Sequence, residues 1–307
     1  MSRASWSAKV FRLGFLSPVG RPGPAINALM SGLRELGYVE GRNVAVEVRY
    51  ADEKLERLPE LAAELVALRV DVLVPLGPPA TRAAKQATKS IPIVLAGNVD
   101  PVGTGLVASL ARPQGNITGM STLAADAASK RLELLVEMAP RVKRVGVFWD
   151  PQEPEEAAEW KALEAAARAL TLTLVPLPVP AFGDVEKVFR EAGEPDVHAL
   201  VNAGYLGPPR YRGKAILELA SKRRIPAAFG WPGLVSAGGL FSYNPDFSLV
   251  FRRAATYIDK ILNGVAPADL PIEQPTKFEL VINMKAARTL GLSLPAAILL
   301  RADQVLQ

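Results

Sequence analysis

Few residues in this chain could carry out nucleophilic or metal chemistry. Its 307 residues include no cysteine, which excludes disulfides, thiolate nucleophiles and cysteine-ligated metals. The single histidine, His198, stands in an alternating run, 197–201, that predicts a strand, and a lone strand histidine is usually a packing or edge residue. Ser-His-Asp triads and histidine-based metal sites are therefore disfavoured, and no cofactor or metal is predicted.

Carboxylates offer another route to catalysis, through general acid–base chemistry. The pair Glu155–Glu156 stands at the start of a predicted exposed helix, where negative charge complements the helix dipole. No carboxylate pair is placed for acid–base work in the sequence pattern. The chain is therefore predicted not to be an enzyme.

A small-residue string at 91–121, "IPIVLAGNVDPVGTGLVASLARPQGNITGMS", raises the question of phosphate binding. It lacks both the GxxxxGK[ST] pattern and the glycine spacing of a dinucleotide loop, so phosphate binding is disfavoured. Asn98 and Asp100 lie in the turn after its apolar strand, and Asp100 could accept a hydrogen bond from an α-ammonium group. Asp before Pro101 is equally typical of an ordinary turn.

Polar groups also follow other predicted strands in the first half of the chain. The helix start at 77–82, "GPPATR", would expose amide N–H groups that suit a carboxylate, although ordinary capping by water explains it as well. The candidates here are Ser17, Pro18, Gly77, Pro79, Ala80, Thr81 and, before the first crossing between lobes, Ser121.

Aromatic residues at strand ends mark the second half of the chain. As a set they could sandwich a planar ligand, whereas each alone could be core or interlobe packing. The candidates are Trp149, Asp150, Asn202, Tyr205, Phe229 and Trp231, with Tyr243 expected near a hinge.

Two series of alternating strands and helices must position these residues. The first predicts strands at 12–18, 43–51, 70–77, 91–97 and 116–121, with helices at 23–37, 56–68, 79–89 and 103–111. The second predicts helices at 125–138, 154–169, 184–192 and 210–223, with strands at 144–150, 172–178, 198–204, 225–230 and 238–245. This order predicts an α/β fold with two doubly wound parallel-sheet (Rossmann-like) lobes.

The remaining chain predicts how the lobes are completed. A long helix at 246–263 ends at Asn263-Gly264, and a strand and helix follow. We expect an N-terminal lobe at 11–121 completed by about 246–266, and a C-terminal lobe at 122–245 completed by about 267–307. Several linkers then form a hinge, with Gly119 and Ser121 permitting rotation, and the interlobe cleft is the expected ligand site.

Charge and hydropathy narrow the possible partners. The net charge of +5 is scattered, and its densest group, "SKRRIP" at 221–226, is typical of a solvated helix end, so no nucleic-acid partner is predicted. No apolar run reaches the ~20 residues of a membrane helix. Residues 1–16 lack the apolar region of a complete secretion signal.

Long strings of the chain resemble the ABC-transporter substrate-binding proteins of the tryptophan/tyrosine type. The resemblance spans about 11–303 and is carried by "RLGFLSP", "GLRELGYVEGRNVAVEVRYAD", "DPVGTGLVASLARPQGNITGMS", "AGGLFSYNPD", "RRAATYIDKILNGVAPADLPIEQPTKFELVINMKAARTLGLSLP" and "LLRAD". The chain departs from the family pattern at Gln114 and Asn244, where glycine is more usual.

The resemblance implies a type I periplasmic binding protein fold and a solute receptor of an ABC importer. Its partners would be a small-molecule ligand, an ABC permease and its ATPase, with membrane contact only through the permease or a lipid anchor. We expect a monomer at the periplasmic or extracellular face of the membrane. The favoured ligand is an aromatic amino acid or related aromatic carboxylate, and the alternative function is a ligand-sensing domain of a regulatory protein.

Overall fold

The computed structural model describes residues 9–20, 24–97, 100–180, 183–204 and 212–307. In chain order, the elements are β1 (Phe11–Ser17), α1 (Pro24–Glu35), β2 (Val44–Tyr50), α2 (Leu58–Ala67), β3 (Val72–Pro75), α3 (Gly77–Ala87), β4 (Ile93–Ala96), β5 (Ile117–Met120), α4 (Ala124–Met138), β6 (Arg144–Trp149), α5 (Pro154–Ala169), β7 (Thr173–Pro178), α6 (Val185–Glu191), β8 (Ala199–Asn202), α7 (Arg212–Arg223), β9 (Ala227–Phe229), α8 (Pro232–Ser236), β10 (Phe241–Pro245), α9 (Phe247–Leu262), β11 (Phe278–Asn283), α10 (Met284–Thr289), α11 (Ala296–Arg301) and β12 (Gln304–Leu306). Short 3-10 helices occupy Leu55–Arg57 and Pro267–Asp269.

The chain divides into two compact units, each made from two segments. Unit 1 comprises Met1–Thr122 and Phe247–Pro275, and unit 2 comprises Leu123–Asp246 and Thr276–Gln307. Residues 267–275, predicted to help complete the C-terminal lobe, therefore belong to unit 1. These residues belong to unit 1 because their backbone pairs with that of β5 and the residue after it. Glu273 N donates to Gly119 O at 3.0 Å, and Ser121 N donates to Glu273 O at 2.8 Å.

Unit 1 is a five-stranded parallel sheet in the order β2-β1-β3-β4-β5. Alternate side chains of its central strands enter two different cores. Phe15 and Val94 pack with residues of α1 and α9, whereas Leu16 and Leu95 pack with residues of α2 and α3. Burial on both faces explains why these strands read as nearly continuous apolar runs.

Two predicted helices of unit 1 differ from the structure. The helix predicted at 79–89 begins two residues earlier, at Gly77, with Leu76 as its N-cap. The helix predicted at 103–111 is replaced by successive turns, in which Thr104 N donates to Asp100 O and Gly105 N to Val102 O. Gly103 and Gly105 favour such turns over a helix, and Gly105 adopts a φ of +67°.

Unit 2 is a seven-stranded sheet in the order β12-β11-β10-β9-β8-β6-β7. Its strands pair in parallel except for β10 and β11, which pair antiparallel, so the sheet is mixed rather than wholly parallel. Helices α4 and α5 contribute Leu132, Leu135 and Leu163 to one core, and α6 and α7 contribute Phe189 and Ile216 to the other. With this one antiparallel pair as exception, the predicted class of two doubly wound α/β lobes is confirmed.

Within the ranges that the structure describes, none of the helices combines the length and apolar character needed to cross a bilayer.

Candidate functional site

Three neighbouring strands of unit 2 end at one edge of its sheet, which we call the carboxyl edge. Strand β8 pairs with β6 on one side and with β9 on the other, and Asn202 is in register with Phe148. Trp149 ends β6, Asn202 ends β8, and Trp231 follows β9. The structure therefore brings these three predicted ligand residues to the same edge, where open α/β sheets hold their ligands.

Trp149 combines a fixed ring with an unused donor. Its indole stacks on that of Trp160 from α5, with ring centroids 5.2 Å apart and an interplanar angle of 11°. Its Nε1 is buried and has no hydrogen-bond partner among the described residues. A buried donor without a partner costs free energy, which a bound acceptor would recover.

Asn202 offers the complementary group on the adjacent strand. Its Nδ2 donates to Gly204 O at 3.0 Å, which fixes the amide, whereas its Oδ1 is buried and unpartnered in the described part of the chain. Among the described residues, Trp149 Nε1 is thus a donor and Asn202 Oδ1 an acceptor that a ligand at the carboxyl edge could use.

The other predicted residues of unit 2 have different surroundings. Phe229 is fully buried in the core with Leu234, so it is a packing residue and its predicted ligand contact is wrong in this structure. Trp231 is half-buried against the same core at the start of α8. Tyr243 stacks on Phe278 of β11, with centroids 5.4 Å apart, and burial raises the pKa of its phenol.

Asp150 shapes the loop that follows β6. It is buried, its Oδ1 accepts from Gln152 N at 2.9 Å, and its own amide donates to Glu156 Oε2 at 2.6 Å. These bonds give Asp150 a role in holding the loop beside Trp149. Tyr205 lies outside the described residues.

Beneath the carboxyl edge lies a buried charge cluster of Arg131, Glu156, Glu159 and Arg212. Arg131 Nη2 pairs with Glu159 Oε2 at 2.9 Å, and Arg212 Nη2 pairs with Glu156 Oε1 at 2.6 Å. All four side chains are at most 7% exposed.

The charge cluster joins the ends of three strands. Arg212 donates to Val179 O after β7 at 3.3 Å and to Ala203 O after β8 at 2.9 Å. Glu156 holds the Asp150 amide after β6. Charge-assisted bonds of this kind are stronger than neutral ones, so the cluster fixes the loops that carry Asp150 and Asn202.

The sequence prediction of an exposed Glu155–Glu156 pair is wrong, because both residues are buried. The sequence did contain an indication of this burial. Glu156 and Glu159 fall on the same face of α5 as the buried residues Leu163 and Ala167. The sequence could not show that Arg212, 56 residues away, is the partner of Glu156.

Glu156 should make stability depend on pH. Burial raises its pKa to about 7, against the lowering effects of Arg212 and the Asp150 amide. Because the folded pKa lies above the unfolded value of 4.5, its stabilising contribution is complete below pH 4.5 and is lost as pH rises to about 7. Relative to Glu156→Gln, wild type should therefore lose about 3 kcal/mol of unfolding free energy over this range.

Denaturant unfolding at pH 4.5, 5.5 and 7 measures that difference. The control Glu191→Gln removes an exposed carboxylate of α6 and should run parallel to wild type. Parallel curves for wild type and Glu156→Gln would contradict the assigned pKa shift.

In unit 1 the corresponding strand ends have their polar groups largely engaged. Ser17 is buried and its hydroxyl donates to Val19 O at 2.8 Å. Pro18 is also buried, and its carbonyl accepts from Glu53 N at 2.8 Å. These bonds shape the turn after β1.

The start of α3 offers fewer donors than predicted. Because the helix begins at Gly77, the amides of Ala80 and Thr81 lie inside its hydrogen-bond ladder, and the buried Thr81 hydroxyl donates to Gly77 O at 2.9 Å. Pro78 and Pro79 carry no N–H. The Gly77 amide is thus the donor that this first turn can present.

Two other candidates of unit 1, Asp100 and Ser121, serve local structure. Asp100 Oδ1 accepts from Gly103 N at 3.0 Å, which is the turn alternative considered for this residue. Ser121 is buried after β5, beside Glu273. Asn98 lies outside the described residues.

Two doubly wound α/β lobes, each made from two chain segments, are the fold of type I periplasmic binding proteins, and solved structures align with it over almost the whole chain. A conserved domain protein from Vibrio cholerae aligns with a TM-score of 0.87 and 28% identity, over 97% of this chain and 100% of that chain. An ABC domain in complex with L-Trp, from Streptococcus pneumonia, aligns with a TM-score of 0.87 and 25% identity over the same shares.

Residues 23–306 match the family described as ABC transporter substrate binding protein, and the chain belongs to this family. A curated relative, the tyrosine-binding protein of Clostridioides difficile, is 25% identical over 270 residues, which are 87% of this chain and 76% of the relative. The predicted family resemblance is confirmed.

Proposed function

We propose that this chain is the solute receptor of an ABC importer and that its ligand is an aromatic amino acid or a related aromatic carboxylate. It captures the ligand outside the cytoplasmic membrane by hinge closure of its two lobes and delivers it to an ABC permease. By the match over residues 23–306, the chain belongs to the ABC transporter substrate binding proteins, which supports a small-molecule binding role. The ligand class, the closure and the delivery are the proposal.

The observation that carries the ligand class is a pair of polar atoms beside a stacked indole that have no hydrogen-bond partner among the described residues. Trp149 Nε1 can donate to a carboxylate, and Asn202 Oδ1 can accept from an ammonium group. An aromatic amino acid carries both groups and a ring that the nearby indoles of Trp149 and Trp231 suit. Relatives that bind tyrosine or were solved with L-Trp support the same class.

Closure requires that the ligand bind one state better than the other. Open and closed states interconvert without ligand, and only the difference in affinity between them shifts their populations. Ligand contacts made from both lobes would supply that difference in affinity, because in the open state the ligand can contact only one lobe.

Calorimetric titration of ligand-free protein tests the proposal. The protein is unfolded in denaturant, dialysed and refolded, and the released small molecules are identified by mass spectrometry. L-Trp and L-Tyr should bind, and at 100 times the dissociation constant they should add about 2.7 kcal/mol of stability. Binding of L-Leu and L-Ile with no response to aromatic compounds would overturn the ligand class.

Trp149→Phe tests the indole donor separately from the ring. Loss of a hydrogen bond to a charged group should weaken binding of the aromatic amino acid about tenfold or more, since such bonds contribute about 1.5–3 kcal/mol. Titration calorimetry measures the change.

The matched control is Trp160→Phe, which alters the other ring of the same stack. Its affinity should stay within about twofold of wild type, because phenylalanine keeps an aromatic ring stacked on Trp149. Equal losses in both variants would place the effect in packing rather than in ligand contact.

A further inference from the structure

A second concave site lies in unit 2 at the edge opposite Trp149 and Asn202. This cavity has a volume of about 310 Å³. It is bordered by Ala227, which begins β9, by Leu240, which precedes β10, and by Asn283, which ends the antiparallel strand β11. It therefore adjoins the amino ends of β9 and β10, whereas the carboxyl edge lies at the other ends of the parallel strands. We call it the amino-edge cavity.

The walls of the amino-edge cavity are mainly apolar. Leu217 and Ile225 come from α7 and the segment after it, Leu240 comes from the sheet side, and Leu290 follows α10. Gly238 and Gly239 bring main chain to the wall, and a Cβ built on Gly238 would approach nothing closer than Leu217 Cδ1 at 4.0 Å. The volume is at the lower end of the range of small-molecule sites and about twice that of a cavity known to hold benzene.

The charge of the cavity has one sign. Arg224 and Lys285 line it, and none of its described lining residues is acidic. Neither cation makes an ion pair with a carboxylate in the part of the chain that the structure describes, whereas the neighbouring Lys222 and Arg223 pair with Glu186 and Glu194. The two cations at the cavity are thus available to an anion from solution.

We propose that the amino-edge cavity binds a small organic anion with an apolar part of one or two rings. The apolar part fills the space between Leu217, Leu240 and Leu290, and the carboxylate pairs with Arg224 and Lys285. This site is separate from that of the transported ligand, because the two lie at opposite ends of the same strands. Its occupation does not require that the proposed transport function be correct.

Titration of the full chain with 2-naphthoate, followed by amide NMR, tests this proposal. The signals of Gly238, Gly239 and Ala286 report the cavity, and the indole N–H of Trp149 reports the carboxyl edge. We expect saturable shifts of the first set. The neutral analogue 2-naphthalenemethanol should bind at least tenfold more weakly, since it lacks the carboxylate.

The variant Arg224→Gln/Lys285→Gln should weaken 2-naphthoate binding at the cavity at least tenfold. Both residues are exposed, so the fold should be retained. The control Lys187→Gln/Lys214→Gln removes two exposed cations of unit 2 that do not line the cavity and should bind within twofold of wild type. Shifts confined to Trp149, equal binding of the neutral analogue, or unchanged affinity in the first variant would each overturn the proposal.

Discussion

Replacing Arg131 by methionine should lower the unfolding free energy of unit 2 by about 3–5 kcal/mol at pH 8, because it leaves Glu159 buried without its counter-charge. The loss should be smaller at pH 5. Burial already raises the pKa of Glu159 and Arg131 lowers it, so without Arg131 the native carboxyl holds its proton to a still higher pH. Stability is then lost as pH rises through that value. Denaturant unfolding followed by tryptophan fluorescence measures both.

A double variant separates the charge from the space it fills. Arg131→Met/Glu159→Leu replaces the pair by apolar side chains and should recover most of the loss, since buried ion pairs are often matched by packed hydrophobic residues. A loss under about 1 kcal/mol in Arg131→Met, or one that is equal at pH 5 and pH 8, would contradict this account of the charge cluster.

Substituting Gly119 by alanine should destabilise unit 1 by about 3 kcal/mol or more. Gly119 has a φ of +123°, and a Cβ there would lie 2.4 Å from Leu95 O and 2.6 Å from Leu95 N on the adjacent strand β4. The backbone of a paired strand cannot move aside as a flexible side chain would. The steric overlap and the strain of positive φ therefore both lower the stability of the variant. Thermal and denaturant unfolding of the variant give the cost.

Gly115 provides the matched control. It also has positive φ, at +73°, but nothing lies within 4 Å of a Cβ built there. Gly115→Ala should therefore lower the unfolding free energy by about 1–2 kcal/mol, which is the cost of placing an alanine at positive φ without steric overlap. If both variants lower the unfolding free energy equally, the close approach of β5 to β4 at Gly119 does not contribute to the loss.

The same geometry revises the role predicted for Gly119. It lies within β5 in register with Leu95, where the absence of a side chain lets two strands pair. Its sequence context suggested rotation between lobes, because small residues near a crossing point are typical of hinges. A sequence does not distinguish a glycine needed for motion from one needed for contact.

The sheets were predictable because their strands are buried on both faces, which leaves short apolar runs bounded by turns, as at 72–75 and 93–96. The carboxyl edge followed from those boundaries together with the rule that ligands meet strand ends. That reasoning located Trp149, Asn202 and Trp231 at one edge. It could not tell that Phe229, on the last position of a three-residue strand, faces the core.

The charge cluster lay beyond sequence reasoning for a different reason. Glutamate at a helix start is ordinarily solvated, and only a guanidinium brought by the fold makes its burial tolerable. Arg212 reaches Glu156 across 56 residues of chain, and Arg131 reaches Glu159 across 28. Local periodicity contains no information on such distant pairs.

The division of each unit into two segments constrains the order in which the protein can fold during synthesis. Helix α1 packs against α9, with Gly32 beside Ala255, so the core of unit 1 is incomplete until residues 247–275 have emerged from the ribosome. By then the first segment of unit 2 has been translated, and it too awaits β11 and β12. Neither unit can therefore fold completely before its own segment within residues 247–307 has been synthesised. A nascent chain halted at residue 246 exposes two incomplete hydrophobic cores to chaperones.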